Sequence, residues 1–359
     1  MRNLTSQRRI VCISTKMKNL DVDVNTNPKV TVLLPFFNAE ATLERAITSI
    51  AHQTFNDFEC ILIDNNSTDL GTDIAAGWLK KDKRFILISE KKQGPAWASN
   101  TGYEASIGRY IARMDADDWS YPDRLEKQVK FLDEHPDFGA VGGLVEHVGH
   151  SELTKGFERY VSWSNSIRDY HDISNRRFIE LPVVNPSAMW RREVVEEYGL
   201  YRSGDFPEDY EMWLRWLGAG VKVHKLSEVV LKWYDSDHRL TRNHSSYRDK
   251  AFYEIKSKFL AEWLAKHNQH HPEVAIWGAS RISRRRARML LTYGIDICCY
   301  IDIKRSRDLD KPVLYYSEIP DPEKIFILTY IKQMNARDEI QSFLHSRGFI
   351  EGKNYLLIS

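Results

Sequence analysis

The chain lacks three features that would have set its class at once. It contains no run of about 18 or more apolar residues, so the sequence offers no helix able to cross a bilayer. It has no excess of one charge: 51 Lys and Arg stand against 50 Asp and Glu, for a formal net charge of +1. That balance gives no bulk field to draw in a polyanion and argues against a nucleic-acid binder. Cysteine is scarce. Cys12, Cys60, Cys298 and Cys299 show neither paired metal spacing nor a disulfide framework, so a cytoplasmic setting is expected, with at most peripheral contact at the inner face of the membrane.

What is present is an ordinary globular composition, 42% hydrophobic over 359 residues, which is enough chain for two domains. Residues 1–28 read as a flexible leader, because the apolar run after Arg8 and Arg9 is too short for a signal peptide. From residue 29, β-branched runs alternate with helical spacing. Strands are expected at 30–34, closed by Pro35, and at 58–63, 85–88 and 110–114, with helices at 39–52, 69–80 and 96–105. This alternation predicts an α/β fold: a mostly parallel sheet, helices on both faces, and ligand-binding loops along one edge. After residue 145 the regularity fades until helices at 192–198 and 208–217, strands at 221–223 and 229–233, and a helix over 246–267. The polar residues 267–272 read as a linker. Residues 273–359 restart a β-α-β pattern, giving a large domain over 29–266 and a smaller Rossmann-like α/β domain.

Three polar clusters fall at expected strand ends: Pro35-Phe36-Phe37-Asn38, Asp64-Asn65-Asn66-Ser67-Thr68-Asp69 and Asp115-Ala116-Asp117-Asp118. In an extended segment Asp115 and Asp117 would point to one side. Two carboxylates so aimed invite a hard cation such as Mg or Mn that also bridges phosphate oxygens. On the residues alone, a polar turn with a helix cap is the favoured reading.

The order and spacing of residues 30–38, 61–69, 94–102 and 113–125, followed by Asn185-Pro186-Ser187 and Pro207-Glu208-Asp209-Tyr210, resemble family 2 glycosyltransferases of the GT-A fold over residues 29–247. The resemblance implies inverting transfer of a sugar from a nucleotide-diphospho-sugar, taken as UDP-linked, to a glycan or lipid-linked acceptor in bacterial surface polysaccharide assembly. It places Pro35, Phe37 and Asn38 at the donor, with Phe37 stacked on the nucleobase, and Asp64 and Asn65 on base and ribose. Asp115 would hold ribose or metal, and Asp117 the Mg or Mn on the diphosphate. Asp209 takes the position of the catalytic base, with Glu208 beside it to raise its pKa. His238 would meet metal or diphosphate, and Arg239 and Arg242 would neutralise phosphate.

One departure stands out: relatives commonly carry Arg before the Asn-Thr-Gly of the third helix, where this chain has Ser99. Two rival readings follow. One is a nucleotide-sugar binding protein with a decayed active site. The other is an NAD-dependent enzyme centred on the C-terminal domain, where Trp277-Gly278-Ala279-Ser280 precedes a helix and Asp302 follows the next strand. Ser280 and Ser283 break the glycine pattern such a site needs. The arginines over 281–288 form a basic patch suited to an anionic membrane or a protein partner.

Overall fold

The computed structural model describes residues 27–149, 155–235, 247–305 and 309–359. The first sheet contains β1 (Val30–Phe36), β2 (Phe58–Asp64), β3 (Phe85–Ser89), β4 (Tyr110–Arg113), β5 (Trp119–Ser120), β6 (Ala140–Val148), β7 (Met189–Arg191) and β8 (Val223–Tyr234), in the order β3-β2-β1-β4-β7-β6-β8-β5. Strands β3, β2, β1 and β4 run parallel, while β7 is antiparallel to β4 and β6, and β5 to β8. Around this sheet lie α1 (Leu43–Ala51), α2 (Gly71–Lys81), α3 (Pro95–Ala105), α4 (Arg124–Glu134), α5 (Lys155–Ser166), α6 (Tyr170–Arg176), α7 (Arg192–Tyr198) and α8 (Glu208–Gly218).

β1 and β2 are buried at every position, which explains their nearly continuous apolar runs: helices cover both faces of a parallel sheet. On one face Val32, Leu34 and Cys60 meet Leu43, Ile47 and Trp78; on the other, Leu33, Ile61 and Ile63 join a cluster holding Ala98, Trp190, Trp213 and Trp216. α3 rides very close to the sheet at Gly102, where an added Cβ would lie 2.8 Å from Ile63 Cδ1 and 3.2 Å from Leu33 Cδ2. Gly102→Val should therefore push α3 off the sheet and cost about 1–3 kcal/mol, read as a lower urea midpoint at unchanged slope. A midpoint equal to wild type would show that the helix has room.

The long α9 (Asp249–His267) leads to the second sheet, built from β9 (Glu273–Trp277), β10 (Asp296–Asp302), β11 (Val313–Tyr315), β12 (Ile327–Thr329) and β13 (Tyr355–Leu357) with α10 (Arg281–Ala287) and α11 (Met334–Ser346). Its order, β11-β10-β9-β12-β13, is all parallel and is that of an open doubly wound sheet. α9 buries one side, through Tyr253, Phe259, Leu260, Trp263 and Leu264, because it is the shared wall of the two units. A single hydrophobic cluster joins Trp213 and Trp216 of the first unit to Ile276, Phe326 and Ile358 of the second through it.

Several expectations need correction. β1 continues through Pro35 to Phe36. Leu33 O accepts from Met114 N–H on the β4 side and Phe36 O accepts from Asn65 N–H on the β2 side. By alternation the N–H that Pro35 lacks would face β4, whose pairing ends at Leu33, so no ladder bond is lost. The two strands expected at 221–223 and 229–233 are one strand, β8, whose register against β6 shifts twice. α5 and α6 occupy part of the stretch after residue 145 where the sequence pattern is less regular. Within the stretch read as a linker, 267–272, Asn268 is buried and its side chain bonds Glu273 O and His270 N–H.

Candidate active site

The loops after β1, β2 and β4 gather at one edge of the first sheet, above a cavity of about 2320 Å³. At the end of β1, Phe36 turns into the core and Phe37 turns out, 49% exposed, into the cavity wall beside Pro35 and Asn38. Asn38 has φ +48°, a conformation Asn tolerates, and its Oδ1 accepts from Thr68 N–H at 2.8 Å while Ser67 Oγ accepts from Asn38 N–H at 3.1 Å. Asn38 thus ties the first loop to the second.

Asp64 and Asn65 are more tightly engaged than the resemblance implies. Asp64 Oδ1 accepts from Ser67 N–H and Oδ2 from the Thr72 hydroxyl, so its carboxylate holds its own loop, beneath the cavity wall rather than in it. Asn65 lines the cavity, yet its amide donates to Glu90 O and Lys92 O and accepts from Gly94 N–H at 2.8 Å. Reading a base edge would require those bonds to be exchanged.

The acidic cluster forms by a turn and not by strand alternation: β4 ends at Arg113, and Asp118 N–H donates to Asp115 O at 3.3 Å. The turn brings ligand oxygens of Asp115, Asp117 and a third member, Asp118, within 4.8 Å of one another. Asp118 is buried and its Oδ1 accepts from Tyr234 N–H, a contact with the far strand β8. These clustered carboxylate oxygens are the hard donors a divalent cation of the Mg or Mn type requires. The turn rests on a buried polar layer. Arg124 Nη2 donates to Arg113 O and Ala188 O, and Arg124 Nε to Gln128, which bonds Val141 O and Ser187 O. Arg45, stacked 3.6 Å over the Tyr234 ring, donates to Asp117 O.

Glu208 and Asp209 open α8 and line the same cavity. Asp209 is half-buried, and this burial, reinforced by the charge of Glu208, pushes its carboxyl up to about 7. Burial also raises Glu208, against the opposing effect of the Tyr247 hydroxyl, which donates to both of its oxygens at 2.8–2.9 Å. The Asn185-Pro186-Ser187 motif supports this wall: Asn185 Oδ1 accepts from Trp213 Nε1 at 3.2 Å, and its amide donates to the Tyr201 hydroxyl at 3.0 Å. His238, Arg239 and Arg242 lie outside the described residues. Tyr247 and Asp118 escaped the sequence reading; Asp118 could have been suspected from its place in the acidic run.

The match of the family model "Glycosyl transferase family 2" covers residues 31–199. An uncharacterized glycosyltransferase of Haemophilus influenzae is 33% identical over 245 residues, 67% of this chain and 75% of its own. The chain belongs to glycosyltransferase family 2. The amylovoran biosynthesis glycosyltransferase AmsE of Erwinia amylovora is 30% identical over 205 residues, covering 56% of this transferase and 74% of AmsE. The fold is likewise that of S. aureus TarS 1–349 in complex with UDP-GlcNAc, with a TM-score of 0.53 and 16% identity over 74% of this chain and 71% of that one. The enzyme is a glycosyltransferase with the GT-A type of mostly parallel sheet. Among its described residues no helix is long and apolar enough to cross a membrane.

The second sheet of the transferase contributes to the cavity as well, through Lys332, Asn335 and Arg337 at the start of α11. Its own dinucleotide-like turn is filled by its own groups. Asp302 Oδ2 accepts from Ala279 N–H at 2.9 Å, where a pyrophosphate would need the backbone, and Gly278 approaches Ser283 Oγ, which donates to Tyr330 O. The basic patch is partly internal too. Arg286 is buried against Asp249 and the Tyr253 ring, and Arg284 and Arg288 both reach Asp310, leaving Arg281, Arg285 and Arg288 as the exposed members.

Proposed function

We propose that this transferase moves a sugar, with inversion, from a UDP-sugar to a hydroxyl of a glycan or lipid-linked acceptor in surface polysaccharide assembly. The observation that carries this reading is the joining, in one cavity, of Asp115 and Asp117, two carboxylates of a cluster completed from beneath by Asp118, with a carboxylate whose pKa is lifted to about 7. Asp115, Asp117 and Asp118 would hold Mg or Mn, which when bound offsets the charge that develops on the departing nucleoside diphosphate. Phe37 offers an exposed flat ring for the nucleobase, with the loop behind it fixed by Asn38. Asp209 accepts the proton of the attacking acceptor hydroxyl. A single displacement with one base and no protein nucleophile inverts the anomeric carbon. AmsE, named for amylovoran biosynthesis, and TarS, solved with UDP-GlcNAc, support the setting and the donor class.

Nucleoside diphosphate release across a panel of UDP- and GDP-sugars, with Mn and with chelator, tests the reading. UDP-sugar turnover that requires the metal is expected, and the anomeric coupling constant of the product reads the inversion. Asp117→Ala should weaken Mn-dependent UDP binding at least tenfold in calorimetry while the protein stays folded. Equal UDP affinity with and without Mn in the wild type would remove the metal from this site.

A further inference from the structure

We propose that Arg113 is the positioning residue of the donor end. Braced by Ser99, its guanidinium fixes Asp115 and supplies the cation that a diphosphate needs on its protein side. This rests on the transferase reading above. Arg113 is only 7% exposed, yet it lines the cavity. Its Nε and Nη2 both donate to Asp115 Oδ1, at 3.0 and 2.7 Å, and its Nη1 donates to Ser99 Oγ at 2.6 Å. Because both bonds of the fork fall on Oδ1, Asp115 Oδ2 is left outside it, on a carboxylate whose orientation is set.

The charge arrangement points the same way. Asp115, Asp117, Glu208 and Asp209 all line this cavity, and Asp118 lies beneath it. Such a density of carboxylates repels a diphosphate unless cations intervene. A buried guanidinium costs desolvation, and a purely apolar brace would hold the strand end without that cost. Position 99 lies on α3. Here the serine hydroxyl at that position is in contact with a guanidinium that arrives from β4, 14 residues away in sequence.

The test uses the full chain with Mn and, as probes, UDP and GDP. Arg113→Lys keeps a positive charge but cannot make the fork, and Arg113→Met removes the charge. The expected result is a melting temperature for Arg113→Lys within a few degrees of wild type, Mn binding by the nucleotide-free protein unchanged or tighter, and Mn-dependent UDP affinity lowered at least tenfold. The double variant Ser99→Arg/Arg113→Met should recover most of the UDP affinity that Arg113→Met loses, because the guanidinium re-enters from the helix; a merely structural brace would not be rescued in this way. Wild-type UDP affinity in a folded Arg113→Lys, or no recovery in a folded double variant, would overturn the inference while leaving the transferase reading standing. A wild-type protein that binds neither UDP nor GDP in the presence of Mn would overturn both.

Discussion

Asp209→Asn is expected to turn over about 10³-fold more slowly than wild type while binding Mn·UDP with unchanged affinity. The amide is nearly isosteric with the carboxyl, and its oxygen can still accept from Tyr210 N–H, the 2.7 Å bond that orients the side chain at the start of α8. What it loses is the ability to take a proton. Asp209→Asn therefore separates the proposed base chemistry from donor binding, which the proposal assigns to the loops after β1 and β4. Retention of full turnover would move the base elsewhere.

The same residue fixes the pH profile. With its carboxyl lifted to about 7 by burial and by Glu208, the proportion able to act as base halves near pH 7 and falls tenfold per unit below it. Turnover should thus drop on the acid side with unit slope, starting two to three units higher than an ordinary aspartate would allow. Stability runs the other way. A carboxyl whose folded pKa is raised binds its proton more tightly in the native state. Its favourable contribution is fully present below the unfolded value near 4 and is lost as pH rises through about 7. Asp209→Asn should consequently melt higher than wild type at pH 8, with the advantage shrinking as pH falls toward 4. Catalysis and stability favour opposite protonation states of one group.

The second large effect concerns the second sheet. A chain ending at residue 268 is expected to be insoluble or to lack a cooperative melt. α9 packs Trp263 against Phe326 and Tyr253 against Tyr330, and Lys256 donates to Ile179 O on one side and Ile358 O on the other. Removing the second sheet uncovers several large side chains, each worth about 1.5–3 kcal/mol of burial. It also strips a buried ammonium of one of its carbonyl partners and takes Arg286 from Asp249. The sum is on the order of 10 kcal/mol, comparable with the whole stability of a typical domain. A soluble 27–268 fragment that melts cooperatively and binds UDP would show the two units to be independent. The C-terminal unit supplies one wall of α9 and part of the cavity lining.

How much was legible in advance follows from how local each feature is. The strands β1, β2 and β4, the helices between them and the clusters at their ends were readable, because hydrophobic periodicity and turn chemistry act over a few residues. Pro35 misled because its penalty depends on which neighbour its missing N–H would face, and that is set by where β4 stops pairing. The acidic run misled in geometry: a turn, with Asp118 held by Tyr234 of β8, and not an extended segment, brings the oxygens together.

The sequence by itself determined the alternation of strands and helices, the family, and the residue types available at each loop, since these are written in short-range pattern. Only the tertiary structure decided that Asp64 and Asn65 hold loops, that Tyr247 reaches Glu208 across 39 residues, that Arg113 comes to Ser99, and that the second sheet shares a core with the first. Each of these depends on packing partners far apart in the chain, and no local pattern records which buried donor will meet which acceptor once the layers close.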